Sequence, residues 1–271
     1  MNAGALEKSL RETWPATVLL GVALLLVEAL LAYVLPTYRA EIGGLLARSE
    51  LVQNLLRSLL GPAVGEAIGP DAFQALPWVH PLILAILWTH SLTFCSRMPA
   101  AEIDRGTSDV LFGLPVSRRT LLVSDSVVLL ASGALLVGTV VAGNAVGSAL
   151  AGVGSFPAPG DVAAIVLNGY CLYLAVGGIN YFFSALSDRR AHAIAGGLAV
   201  VLGSFLLTFL AQFWEPARTV VFLSLLEYYR PAVVLGQESW PLGDSAVLLA
   251  IALVFWTLAA IVLDRRDIAT V

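Results

Sequence analysis

Six apolar runs, each long enough to cross a bilayer as a helix, constrain this chain more than any other feature. A hydrocarbon core about 30 Å thick takes roughly 20 residues at about 1.5 Å each. Runs of that kind fall at about 16–35, 77–96, 120–142, 162–186, 191–213 and 245–263. Backbone amides and carbonyls find no water in that layer, so each run has to satisfy them internally as a helix. The expectation is an all-α integral membrane protein, a single transmembrane domain over 1–271. Composition agrees, with 58% hydrophobic residues, 13% charged and a mean hydropathy of +0.86. A soluble domain of this length carries about twice that charge.

The first run is longer than the roughly 7–15 apolar residues of a signal-peptide core, and no Ala-x-Ala site follows it, so it is expected to stay as a permanent span. Six spans place both termini on one side and sort the connections into two sets. The set with the termini holds Lys8, Arg11, Arg97, Arg105, Arg118, Arg119, Arg189, Arg190, Arg265 and Arg266, ten of the fifteen Lys and Arg residues. The other set holds Arg39, Arg48, Arg57, Arg218 and Arg230 in the longer loops 37–76 and 214–244. The positive-inside rule therefore predicts cytoplasmic termini. Tyr33, Tyr38, Trp78, Trp214 and Trp240 fall near the opposite boundary, as interfacial anchors do.

Around the spans, three segments have helical periodicity. Leu6, Leu10 and Trp14 recur every four residues among Glu7, Lys8, Arg11 and Glu12, which predicts an interfacial amphipathic helix broken from span one at Pro15. Outer-side helices are expected over Glu41–Leu60 and within Pro216–Pro231, where Thr219–Leu226 is too short to span. They either cap the bundle or close an outward exit.

The charge-dense stretch over 97–119, between spans two and three, stands apart. Thr107-Ser-Asp109 offers N-cap hydroxyls and an acidic first turn, Pro115 stops a short helix, and Ser117 can cap span three. This predicts a short helix at about 102–116, with Glu102, Asp104 and Arg105 before it and Arg118 and Arg119 after it. Such a loop is either an ordinary positive-inside connection or a surface for a partner.

Glu102-x-x-x-Gly106-Thr107, followed by Leu111-x-x-Leu-Pro115-Val-Ser-Arg118, resembles the segment between spans two and three of ABC-2-type ABC transporter permeases. The N-terminal amphipathic stretch, the apolar hairpin ending in Tyr228-Tyr-Arg-Pro231 and the C-terminal Asp264-Arg-Arg-Asp-Ile268 fit the same order, so the resemblance covers nearly the whole chain. It implies a permease half that pairs with a second half and sits on two ATPase subunits. Glu102, Asp104, Arg105, Gly106, Thr107, Leu111, Phe112, Pro115, Arg118 and Arg119 would then form the ATPase-coupling element. No Gly-x-x-x-x-Gly-Lys-Ser/Thr loop occurs in the chain, so ATP and Mg²⁺ would belong to the partner, and no cofactor is expected on this chain. The implied function is export of a drug, lipid, peptide or natural product. Fourteen Arg against one Lys point to a GC-rich prokaryotic genome and an inner membrane.

A membrane enzyme or a channel working without an ATPase is the alternative. His80 and His90 stand about 15 Å apart on one helix, too far to share a metal, and no His-Glu-x-x-His or Gly-x-Ser-x-Gly pattern occurs. Cys95 and Cys171 lie inside spans, where packing is expected and a disulfide is not. No charge rings or filter motif mark a pore. Within the spans, Glu28 is either a residue of the translocation path or a protonated group bonded to a neighbouring helix. Asp125 is expected to pair with an arginine of 118–119 or 189–190, Asn144, Asn168 and Asn180 to bond between helices, and Gly143-x-x-x-Gly147 to let helices approach closely.

Overall fold

A computed structural model describes residues 2–37, 70–113, 115–152, 157–237 and 240–267. The helix expected over Glu41–Leu60, and Tyr38, Arg39, Arg48, Arg57, Leu114 and Ile268, lie outside the described residues.

The described residues form helices without strands. In order these are α1 (Ala3–Thr37), α2 (Pro70–Val79), α3 (Pro81–Cys95), α4 (Glu102–Asp104), α5 (Ser108–Phe112), α6 (Arg118–Ala151), α7 (Pro159–Leu186), α8 (Arg190–Leu210), α9 (Glu215–Val220), α10 (Pro231–Gln237) and α11 (Leu242–Arg265). Six are long and apolar enough to cross a membrane: α1, the stretch Gln74–Cys95, α6, α7, α8 and α11. The apolar stretch after α8 is bent by 71° between Glu215–Leu223 and Leu225–Gly236, as expected of a segment too short to span straight.

Two boundaries differ from the sequence reading, each for a local reason. Span two is divided at His80, where Pro81 starts a new helix and His80 Nδ1 accepts from the Leu82 amide. Span three continues to Ala151, because the small residues after Ala142 keep helical geometry until Gly152 takes φ +64 and closes it.

α1 also runs unbroken through Pro15. Proline removes one backbone donor, but Pro15 and the Arg11 carbonyl it would have served both lie on the exposed face. The face of α1 that packs is not the apolar one. Ser9, Thr13, Thr17, Gly21, Leu24, Glu28 and Ala32 are buried, while Leu10, Trp14, Leu19, Val22, Leu26 and Leu30 face outward. Lipid solvates leucine as well as a protein interior does, so small residues that permit close approach take the interface.

Glycines set the two tightest pairings. A Cβ on Gly143 would fall 2.6 Å from the Leu25 carbonyl oxygen, and Gly147 lies tighter still against Ala29, so α6 meets the bare backbone of α1. A Cβ on Gly178 would fall 2.7 Å from the Ala252 carbonyl, which brings α11 onto α7. α7 is the most enclosed span, with 72% of its apolar window buried, and the other helices surround it. Asparagines bond between helices as expected. Asn180 Nδ2 donates to the Leu92 carbonyl at 2.7 Å, and Asn168 Nδ2 to the Tyr228 carbonyl and Ser245 Oγ. Cys95 and Cys171 are free and buried.

Both described ends of the chain reach the same end of the bundle, together with residues 97–113, 115–117 and 187–190. Lys8 meets Glu102, Arg119 meets Asp264, and Arg266 meets Asp188 there.

Candidate functional site

The charged segment at this end begins where α3 stops. After Ser96 the chain makes a wide turn over Arg97–Ala101, with Met98 extended (φ −124, ψ 127) and a cis Met98–Pro99 bond. Ser184 of α7 satisfies the opened backbone, donating to the Met98 carbonyl at 3.0 Å and accepting from the Ala100 amide at 3.2 Å. The single helix expected over 102–116 is two short helices, α4 and α5, jointed at Gly106. Gly106 takes φ +68, a conformation that costs any side chain, and this reverses the chain so that the Thr107 amide returns to the Glu102 carbonyl. Thr107 does not cap α5 with its side chain, because its hydroxyl donates to the Glu102 carboxylate. Ser117 does cap α6, accepting from the Thr120 amide at 3.1 Å.

Behind this segment lies an ion-pair network. Lys8 Nζ reaches Glu102 Oε1 at 2.7 Å and Glu12 Oε1 at 3.0 Å. Arg97 spans Glu12 and Asp125, each at 2.5 Å. Asp125 also accepts from Ser9 Oγ at 2.6 Å and from the Tyr181 hydroxyl at 2.7 Å. A cavity of about 30 Å³ among Lys8, Ser9, Glu12, Arg97, Glu102 and Asp125 has room for one water. Burial pushes the Glu102 carboxyl up, but hydrogen bonds from Lys8 and Thr107, with the charges of Lys8 and Arg105, outweigh it and hold the group below its ordinary value. The arginine expected on Asp125, from 118–119 or 189–190, is Arg97 instead. The wide turn after α3 carries Arg97 back across the mouth of the bundle, and arginines 118 and 190 are taken by carbonyls.

Arg118 donates to the Leu263 carbonyl at 2.9 Å and the Arg266 carbonyl at 2.6 Å, closing the C-terminal end of α11, and its guanidinium lies 5.2 Å from the Phe112 ring centroid. Arg266 does the same for α7, donating to the Ala185 and Ser187 carbonyls. Arg190 donates to Ser96 Oγ and the Thr93 carbonyl at the end of α3, and its amide donates to Asp104. A helix leaves its last carbonyls without partners and carries partial negative charge there, so arginines at these sites bind the helices to one another.

The expected coupling residues therefore divide. Glu102 and Leu111 are buried, and Phe112 and Arg118 are partly buried against the bundle. Asp104, Arg105, Gly106, Thr107, Pro115 and Arg119 face outward, joined by Asp109 and by Val110, which is 74% exposed. The sequence reading missed the partners of this layer, Lys8, Ser9, Glu12, Arg97 and Tyr181. Lys8, Glu12 and Arg97 stood out only as charges near a boundary, and nothing local ties them to one another.

Glu28 lies within the α1–α6 seam with no exposed surface, accepting from Asn144 Nδ2 at 2.7 Å. It lines no open passage in this conformation. His90 is enclosed between Thr17, at 3.0 Å, and the Tyr173 hydroxyl, at 2.9 Å. Among the described residues no group of three or more His, Cys, Asp or Glu side chains is gathered as metal ligands.

Six long apolar helices, packed on one another through glycine and asparagine contacts, mark a multi-pass membrane protein. Comparison with family models, with curated proteins and with solved structures finds no match to the chain.

Proposed function

We propose that this chain is the membrane-spanning half of an ATP-driven exporter of the ABC-2 type, and that residues 97–119 are the element on which partner ATPase subunits act. The observation that carries this reading is the division of the segment into two surfaces. Glu102 ties it to α1 and Arg118 ties it to the end of α11, while Arg105, Asp109, Val110 and Arg119 face outward. A force on the outward surface passes to the spans through ion pairs and capped helix ends. An exposed apolar knob between charges of both signs suits a groove in a protein partner.

The ten Lys and Arg residues at this end support a cytoplasmic position for it and for both termini. In this reading two ATPase chains bind ATP and Mg²⁺, a second permease half, identical or different, completes the complex, and the membrane is a prokaryotic inner membrane. ATPase closure shifts the two halves, exposing or extruding a drug, lipid, peptide or natural product.

The test is co-purification of the tagged full chain from its native membrane, with mass spectrometry for a nucleotide-binding subunit. Such a subunit is expected, and Arg105→Glu combined with Val110→Asp should release it while the chain keeps its thermal unfolding profile. Transport by the isolated chain without any ATPase would overturn the proposal.

A further inference from the structure

Glu28 is a buried ionisable group that the coupling surface does not use. Among the described residues its carboxyl meets one donor, Asn144 Nδ2 on Oε1, and its Oε2 has no hydrogen-bond partner. No ion pair among the described residues involves it. Among the described residues, the elements packed around it supply no counter-charge. α6 offers Asn144 and the bare backbone of Gly143 and Gly147, and residues 74–79 of α2 contain no ionisable side chain. The ionisable group with which α3 faces α1 is His90, bonded to Thr17 about three turns away. Tyr229, buried in the hairpin before α10, is neutral and donates its hydroxyl to the Trp78 carbonyl.

A carboxylate in this setting would hold a full charge on one neutral amide, with its second oxygen bare, at membrane depth. A carboxylic acid fits the same contacts without that charge. Its carbonyl oxygen, Oε1, accepts from Asn144, and its proton sits on Oε2. We infer that Glu28 is a proton-binding site that locks α1 against α6. Protonated, it leaves the seam dry, with the glycines of α6 against the backbone of α1. When the proton passes from Oε2 to water, the carboxylate needs hydration, and water reaches it only if the helices part. The ligand is the proton, and the inference stands apart from the identity of any ATPase or cargo.

The experiment uses the full chain in lipid nanodiscs. Infrared spectra should show a carboxylic C=O band at neutral pH that is absent in Glu28→Gln and moves to higher frequency in Asn144→Leu, which removes the donor to that carbonyl. Spin labels at the exposed positions Leu30 and Val146 should report one short distance at neutral pH and a longer one as pH is raised. Glu28→Gln, which cannot ionise, should keep the short distance throughout. Absence of a band responsive to Asn144→Leu, or a distance that lengthens with pH equally in Glu28→Gln, would overturn the inference.

Discussion

Lys8 and Glu102 stand 94 positions apart in the chain, and their side chains meet at 2.7 Å. Through that contact the start of α1 is bound to the segment between α3 and α6. Glu102 is nearly enclosed and Lys8 remains half open, so the pair keeps more strength than a surface ion pair without the full desolvation of a buried one. Glu102→Ala should lower stability by about 1–3 kcal/mol, the loss of hydrogen bonds to a charged group. Lys8→Ala combined with Glu102→Ala should cost less than the sum of the two single changes, which a double-mutant cycle on thermal unfolding in detergent measures.

The same carboxyl makes stability depend on pH. Glu102 is held below its ordinary value of 4.5 in the folded protein, so it binds its proton more weakly folded than unfolded. Its stabilising contribution is complete above 4.5 and is lost as pH falls from there through the lower folded value. Unfolding temperatures measured across that window should fall more in the wild type than in Glu102→Gln.

Gly143 tests the α1–α6 contact from the steric side. A Cβ there would lie 2.6 Å from the Leu25 carbonyl oxygen, a backbone atom that cannot step aside without moving the helix. Gly143→Val should destabilise the protein by about 1–3 kcal/mol, the range for overpacking a tight interface. Gly138, whose Cβ would meet nothing within 4 Å, is the matched control, and Gly138→Ala should leave thermal unfolding unchanged or slightly improved.

Gly106 separates backbone conformation from packing. Space around it is open, yet its φ of +68 penalises a side chain. Gly106→Val should therefore cost about 1–2 kcal/mol, the penalty of a left-handed conformation, while Gly106→Asn should cost less. Limited proteolysis between Asp104 and Ser108 reads the effect directly, because loosening the joint exposes this stretch before the bundle unfolds.

Much of the architecture was legible because the bilayer imposes it. Apolar runs of sufficient length had to be helices, and all six are. Asn168, Asn180 and the Gly143–Gly147 pair had to find polar or close partners, since lipid offers none. Failures cluster where the deciding partner is remote. Pro15 reads locally as a break, but its lost hydrogen bond lies on an exposed face and the helix continues. Leu6, Leu10 and Trp14 read as the apolar face of a separate interfacial helix, but they belong to the same helix as span one, whose stripe of Ser9, Thr13 and Thr17 packs against the bundle. Thr107 reads as a helix cap, yet a carboxylate five residues earlier takes its hydroxyl.

By itself the sequence determined the class of the protein, its six long apolar helices and the sharing of one end by both described chain ends, because these follow from run length and parity in a medium without hydrogen-bonding solvent. Tertiary structure alone decided which face of the 97–119 segment is free. Glu102, Leu111 and Arg118 are as polar or apolar as their exposed neighbours. Only the folded positions of Lys8, the bundle wall and the α11 carbonyls turn them inward, and those positions depend on contacts between residues far apart in the chain.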